Sequence, residues 1–492
     1  MVSYPLRPFS KAEARSMHND KESPYTLTLL DSGLSLQVLQ FNGREGLNQP
    51  YRFDIEVIGL APAMNLDRLL QQPAFLRLSA DQGIHGVIHS VSREHRGPYR
   101  VGYSLVLAPH LQRLQLHSSR RVFHRLSVPA IMRQLLEKHQ LPEHSYRFDL
   151  TCGHYPLRPF CIQYDESDLA FMQRLCEEEG IHFHFEHQHD GHVLVLADDS
   201  LSFPQEPLLM PFHADVFNDP LLPAISELFQ RHDPDPAPAQ WDARNRGAHV
   251  IGDGAANHPL TGTGPVTARP APEQLHREQL GRRSLERLRC QHRQIHGQST
   301  LNELRSGRIV QVAQHPLSSF NDQWLLTNIQ HQGQQPSILA EDKPDHDIAG
   351  RYSNRFTAIP WSTVFRPALK QVRPSIPGYQ TARVLGPVGQ PAALDEQGRI
   401  QVCLWPKPGF EADESVGLWL PIALAAPDGR IDPSRLPLAG TEVLVSFLDS
   451  DPDRPVLCAG MSHLQPSRPA PEPRRDAHLL LGWLINRSDP MP

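Results

Sequence analysis

From Tyr25 onward, apolar residues either alternate with polar ones or cluster in short runs: TLTLL, LSLQVLQF and YRFDIEVIGL, ending at Leu60. Alternation places successive side chains on opposite faces of a strand, so this stretch predicts an antiparallel meander, punctuated by Asp31-Ser32-Gly33 and by Asn42-Gly43. FLRLSA, GIHGVIHSV and YSLVLAP extend the pattern. The period changes at VPAIMRQLLEKHQ, from Val128, where the spacing of Leu135 and Leu136 and a basic end predict a helix. Between Asp165 and Gly180, Leu169, Met172, Leu175 and Cys176 share one helical face, with Asp165 or Ser167 as the N-cap and Gly180 as the terminator. Gln274 to Arg293 predicts a third helix, and SGRIVQVAQH and QWLLTNIQHQG return to strands.

Two stretches rich in Pro and Gly interrupt these elements, one at about 232–272 and one from Pro360 to Pro377. They divide the chain into a polar lead-in over 1–22, a strand-rich region over 23–375, a small domain over 376–462 and a tail over 463–492. The tail joins a linker, QPSRPAPEPRR, to a short apolar segment from Ala477 to Ile485. At 492 residues the chain exceeds a single core, and its 47 prolines favour short strands and turns over long helices. The fold class expected is therefore mainly β and multidomain, with a few helices. One hexapeptide, Tyr4 to Phe9, recurs as Tyr155 to Phe160, without any longer period of the kind that marks a solenoid or propeller.

Charge narrows the partners. With 48 basic and 54 acidic residues the net charge is -6, so no basic field points to nucleic acid or an anionic membrane. The 27 histidines turn this balance positive only when the pH falls through ~6.5. Six cysteines lack CxxC spacing and read as reduced, mostly buried thiols. The first twenty residues lack an apolar core, and Val416 to Ala426 is broken by Pro421, so no stable membrane anchor is expected and the chain reads as made in the cytoplasm.

The passage LQVLQFNGREGLNQPYRFDIEV, from Leu36 to Val57, resembles the opening signature of VgrG proteins and of the related phage tail hub. PFCIQYDESDLAFMQRLCEEEGIHFHFEH, from Pro159 to His187, is similar to that family's most characteristic stretch. YSNRFTAIPWSTVFRP, from Tyr352, resembles the exit from the hub, whereas DEQGRIQVCLWP and TEVLVSFLDSDPDRPVL resemble its OB-fold barrel. The resemblance implies two related hub-like barrels followed by an OB barrel, and a homotrimer that caps a hexameric Hcp tube. It also implies a PAAR-type tip protein, baseplate proteins and an effector or adaptor as partners, with export through a type VI secretion apparatus into a target cell. On the motif match, Arg44, Arg52, Asp54, Tyr164, Asp165, Glu178, Gly180, Asp451 and Arg454 are expected to hold hub interfaces or barrel packing. Two departures stand out: the OB region keeps Trp419 and Gly440 but little of an aromatic stretch, and nothing after Gly460 resembles the β-helical needle. The tail face of Leu480, Trp483 and Leu484 either docks a partner or packs on the chain's own OB barrel.

Chemical motifs are weaker. His182, His184, His187, His189 and His192 mimic a zinc spacing, but a polar strand face running into an Asp190-Gly191 hairpin explains them without metal. Asp449, Asp451 and Asp453 imitate the start of a calcium loop that fails at Arg454 and Gly460, so a turn in which Arg454 pairs with an aspartate is expected. Gly252, Gly254, Gly262 and Gly264 lack phosphate-loop spacing. Glu177-Glu178-Glu179 reads as a solvated helix end, and no GxSxG, HExxH or kinase set is present, so neither catalysis nor a cofactor is expected. The leading function is a secretion spike. The alternatives are a contractile phage-tail hub, a needle-less adaptor that stays in the cell and, least favoured, a metal enzyme built on the histidines.

Overall fold

A computed structural model describes residues 25–60, 65–79, 82–95, 100–213, 224–233, 272–335, 351–406, 417–423 and 436–458. The lead-in over 1–22, the first hexapeptide copy, nearly all of the Pro/Gly stretch over 232–272, and the tail with Leu480, Trp483 and Leu484 lie outside the described residues. The chain divides into two compact units, 1–374 and 375–492.

The first unit opens with β1 (Thr26–Leu29), β2 (Leu34–Gly46), β3 (Gln49–Leu60), a short α1 (Leu66–Leu69), β4 (Pro73–Arg77), β5 (Gly83–His95) and β6 (Arg100–Ala108). The strands pair in the order β1-β4-β5-β6-β3-β2, and β2 returns to β1, which closes a six-stranded barrel. Alternation sorts its side chains: Tyr51, Phe53, Ile55 and Val57 of β3 are buried, whereas Asp54 is exposed and Arg52 and Glu56 half-buried. Asn42-Gly43 is not the turn that its sequence suggests. β2 runs unbroken to Gly46, and the reversal falls at Leu47-Asn48, where Asn48 takes φ +60°. Gly43 is there for space, since a Cβ would lie 2.1 Å from the ring of its cross-strand partner Phe53. Gly333 stands in the same relation to Phe41, at 2.2 Å.

An inserted layer follows: β7 (Ser118–Leu126), α2 (Val128–Lys138), β8 (Tyr146–Asp149), β9 (Arg158–Ser167), α3 (Asp168–Glu179), β10 (His182–His187) and β11 (His192–Ala197). Ser167 is the N-cap of α3, its hydroxyl accepting from the Ala170 N–H, so residues 165–167 belong to β9 and Asp165 does not cap. Gly180 ends the helix at φ 73°, in the left-handed conformation that favours glycine. Leu169, Phe171, Met172 and Leu175 of α3 join one core with the interior of the first barrel.

The remainder of the unit is β12 (Leu208–Pro211), β13 (Ile225–His232), α4 (Pro272–His292), β14 (Arg293–Ser299), β15 (Ile309–Ala313), β16 (Gln323–Gln334) and β17 (Arg351–Pro360). β13-β14-β17-β16-β15-β12 pair in sequence, and a bridge between Phe212 and Ile225 completes a second ring around Trp324, Leu326, Ile329 and Phe356. The two rings are joined edge to edge, because β2 pairs antiparallel with β16 from Gln40↔Gln334 to Gly46↔Asn328.

The second unit contains β18 (Tyr379–Val384), β19 (Arg399–Leu404), β20 (Leu418–Ala423), β21 (Glu442–Phe447) and β22 (Pro455–Cys458), closed in the order β18-β19-β20-β22-β21. Val384, Ile400, Val402, Leu420 and Val445 fill it. A five-stranded closed barrel with this strand order is the OB type, and the expected mainly-β architecture of barrels with a few helices is what the chain adopts.

Gly43→Val should cost about 1–3 kcal/mol of stability, because a branched side chain cannot enter the space of the Phe53 ring. Asn42→Ala, at the neighbouring exposed position, should stay within ~0.5 kcal/mol of the parent in urea denaturation.

Candidate functional site

The polar residues named from the sequence separate into four places. Arg44 of β2 faces Arg52 of β3 across one strand pair and Gln330 of β16 across the other, on the outer face of the sheet that joins the barrels. Like charges opposite each other repel, and Asp54 offsets this by accepting from Arg52 Nε at 3.2 Å and Nη2 at 2.6 Å. Asn42, Asp54, Gln330, Gln332 and Gln334 continue this exposed polar face. Tyr164 and Asp165 lie elsewhere, on β9: Arg120 of β7 grips both Asp165 oxygens at 2.7 Å and lies 4.6 Å above the Tyr164 ring. That pairing holds the Asp165 carboxyl below its usual range. In the second unit Arg454 pairs with Asp449, and the Asp451 carboxylate accepts the Asp453 N–H at 3.0 Å, forming the turn between β21 and β22.

Glu178 and Gly180 belong to the fourth place, which sequence reasoning misread. The three glutamates at the end of α3 are not a solvated tip: Glu177 is 4% and Glu179 1% exposed. A helix C-terminus carries partial negative charge and disfavours carboxylates. Partners from distant segments, joined by Arg174 of the helix itself, reverse that balance. Arg158 donates to Glu179 at 2.8 Å and His276 of α4 lies 2.8 Å from the other oxygen, while Arg174 reaches Glu178 at 2.9 Å. Burial raises the cost of charging Glu179, yet His276 and Arg158 outweigh it and hold the carboxyl low. Backbone carbonyls at the helix end are also capped: Arg287 donates to Glu177 O, Arg283 to Glu179 O and Arg366 to Gly180 O. Arg283 is 1% exposed and meets the fully buried Asp198 at 3.2 Å. Thus α4, a polar helix, is fastened by directed ion pairs. A second acidic node at the other end of α3, Asp168, accepts from Gln163, Lys138 and Arg121.

The junction of the two barrels hides a further charged group. Glu45 points inward from β2 and is 7% exposed, with His331 of β16 at 3.0 Å and Arg305 at 4.0 Å. Tyr352 Oη accepts from Asn354 and lies 2.7 Å from His331 Nδ1, so that the other ring nitrogen, Nε2, is the one nearest Glu45. Burial opposes ionisation of Glu45, but His331 and Arg305 prevail and bring its pKa down to about 2. Alternation with Phe41 and Gly43 marks Glu45 as inward in the sequence itself, so this residue was legible.

The histidine stretch is also a correction. His182 and His184 share a face as expected, but it is a buried one, 0% and 2% exposed, packed on Phe203. Among the described residues no group of three His, Cys, Asp or Glu side chains is arranged to hold a metal ion. A cleft of about 190 Å³ opens beside them, lined by His184, Glu186, Glu303, Arg305 and Arg308, whose carboxylates and guanidinia balance in number. Of the six thiols, Cys161, Cys176 and Cys290 are buried, Cys403 and Cys458 intermediate and Cys152 exposed.

Residues 44–337 match the phage tail baseplate hub (GPD) family, which covers most of the two-barrel unit. The chain belongs to the phage tail baseplate hub family. Its sequence is 39% identical to a type VI secretion system spike protein, VgrG5, of Pseudomonas aeruginosa, over 90% of this chain and 58% of that one. A second spike protein of that organism, VgrG4b, is 35% identical over 90% of this chain and 56% of its own length. The Vibrio cholerae protein named actin cross-linking toxin VgrG1 is 27% identical, over 91% and 42%. The VgrG resemblance is therefore borne out, and the chain spans about half the length of these relatives. Among solved structures, an E. coli component of the type VI secretion system, described as similar to the T4 tail proteins gp27 and gp5, superposes with TM-score 0.63 at 26% identity, over 86% of this chain and 96% of that one. A chain of a Francisella PdpA–VgrG complex, 8% identical with TM-score 0.53 over 86% of this chain and 76% of that one, shares the fold alone. No helix among the described residues is long and apolar enough to cross a membrane.

Arg283→Leu should destabilise the chain by about 3–5 kcal/mol, since it leaves Asp198 charged and buried without its partner. Adding Asp198→Asn should recover part of that loss in a denaturant double-mutant cycle; an additive cycle would show that the two groups do not act as a pair.

Proposed function

We propose that this chain is the hub and spike-base portion of a VgrG-type secretion spike, acting as a homotrimer that caps a hexameric Hcp tube. The observation that carries the reading is the joined pair of six-stranded barrels followed by an OB-type barrel. Three chains with two barrels each offer six similar elements to a six-fold tube, and the single OB barrel per chain matches three-fold symmetry beyond it. In this reading residues 23–375 form the hub and 376–462 the spike base. Arg44, Arg52 and Asp54, on the outer polar face of the seam, contact a neighbouring subunit, whereas Tyr164, Glu178, Gly180, Asp451 and Arg454 maintain packing within one chain. The work is mechanical, with no bond made or broken: sheath contraction drives tube and spike through a target envelope. A PAAR-type tip, baseplate proteins and an effector or adaptor complete the assembly, which is built in the cytoplasm and exported. The 39% identity to a secretion spike protein favours this over a phage-tail role for the same architecture.

Light scattering after size exclusion should return three chain masses at micromolar concentration. Arg44→Glu should weaken association at least tenfold while leaving the circular dichroism unchanged. A wild-type chain that is monomeric at every concentration overturns the trimer, and an Arg44→Glu trimer of parental stability removes the seam face from the subunit contact.

A further inference from the structure

Four imidazoles meet where the β10–β11 hairpin leans on the first barrel: His85 of β5, His110 just beyond β6, and His187 and His192 of the hairpin. The His192 ring lies 4.8 Å from His110, stacked, and 5.1 Å from His85, with Tyr51 edge-on to both hairpin rings. Hydrogen bonds settle where the protons are. The His110 backbone N–H donates to His192 Nε2 at 3.2 Å, so His192 carries its proton on Nδ1. That proton faces His85 Nδ1, 2.9 Å away, which must be bare, and His85 therefore carries its own on Nε2. Such a chain exists only while both rings are neutral. A second proton on either ring would set one N–H against another, across the 2.9 Å contact or at the His110 amide, and place a cation on a buried side chain, since His85 and His192 are 2% and 4% exposed.

The surroundings supply little to compensate such charge. Arg113 and His144 face His110, while His189 and the exposed Asp190 face His85. Glu45 and Arg305 act on His187, and Glu45 is already engaged by His331 and Arg305 at the seam.

We propose that this imidazole cluster is an acid-sensitive latch, whose neutral form fastens the β10–β11 hairpin to the first barrel and whose protonation releases it. Burial holds His85, His110 and His187 down to about 4, and His192 well below its usual range. In a released hairpin these rings titrate near ~6.5, so the open state binds more protons than the closed one at intermediate pH. The contribution of the latch is thus complete above that value and is lost as the pH falls towards 4.

Hydrogen exchange of the full chain, pulsed at pH 7.5 and at pH 4.5 and normalised to the unfolded chain at each pH, tests this. Peptides covering 182–197 should lose roughly tenfold or more of their protection at the lower pH, while those of the second barrel change less than about threefold. His85→Asn keeps an acceptor for His192 Nδ1–H but cannot take up a proton, and should shrink the loss in 182–197 to about threefold or less. Unchanged protection of 182–197 in the wild-type chain overturns the latch, as does a loss that His85→Asn and His192→Gln both leave intact. Should the variants not fold, the wild-type map still decides: a loss confined to the hairpin supports the latch, and one spread evenly through both barrels overturns it.

Discussion

The antiparallel seam between β2 and β16 is the constraint on which the rest of the first unit depends, because it makes one continuous sheet of two separately closed rings. Barrel strands must bend sharply where a ring closes, and two mid-strand glycines, Gly43 and Gly333, permit that by letting Phe53 and Phe41 lie flat across the neighbouring backbone. Phe53 also lies against His331, 5.4 Å from the imidazole. An apolar pair in place of the Glu45–His331 contact would join the barrels too, but without a direction. The buried proximity of Glu45 and His331 belongs to a single register, since a one-residue slip would turn Glu45 outward and leave His331 buried without it.

A comparable logic fixes the inserted layer. Helix α4 presents few apolar residues to its neighbours, and its position is set by Arg283, Arg287 and His276, each of which finds an acceptor at the end of α3. Three consecutive glutamates at a helix C-terminus oppose helix formation in isolation. They become stabilising only once α4 and the segment around Arg366 arrive, so the helix end and its partners form together. Buried ion pairs of this kind contribute little net stability against an apolar alternative, but breaking one is costly, which suits a contact whose geometry matters more than its strength.

These two junctions also mark what the sequence discloses and what it conceals. Strand alternation and the Val128 and Asp165–Gly180 helices are local signals, and they survive in the structure as β1 to β6, α2 and α3. Asn42-Gly43 misled because a glycine needed for a cross-strand aromatic looks, in one dimension, like a glycine needed for a turn. Glu177 to Glu179 misled for a different reason: their burial depends on Arg283 and His276, about a hundred residues along, and no window of sequence holds both. Likewise the alternation of His182 and Phe183 was visible, whereas the burial of both strand faces was not, since it requires knowing that Phe203 returns to cover the histidines.

Histidine recurs at two contacts between the first barrel and its neighbours, at His331 on the seam and at His85 and His192 beneath the hairpin. The choice has a physical basis. A buried carboxylate or ammonium needs a full counter-charge, whereas a neutral imidazole both donates and accepts, stacks on aromatic rings and joins strands from different segments without one. The cost is proton sensitivity, because each such ring is uncharged in the interior only so long as the solvent is not acidic enough to charge it. In contrast, the α3–α4 junction rests mainly on guanidinia, which stay charged across the same range, with His276 as its one imidazole on Glu179. The unit therefore combines a helical layer held mainly by arginine with barrel contacts held by histidine, two solutions to the same need for polar contacts between segments distant in the chain.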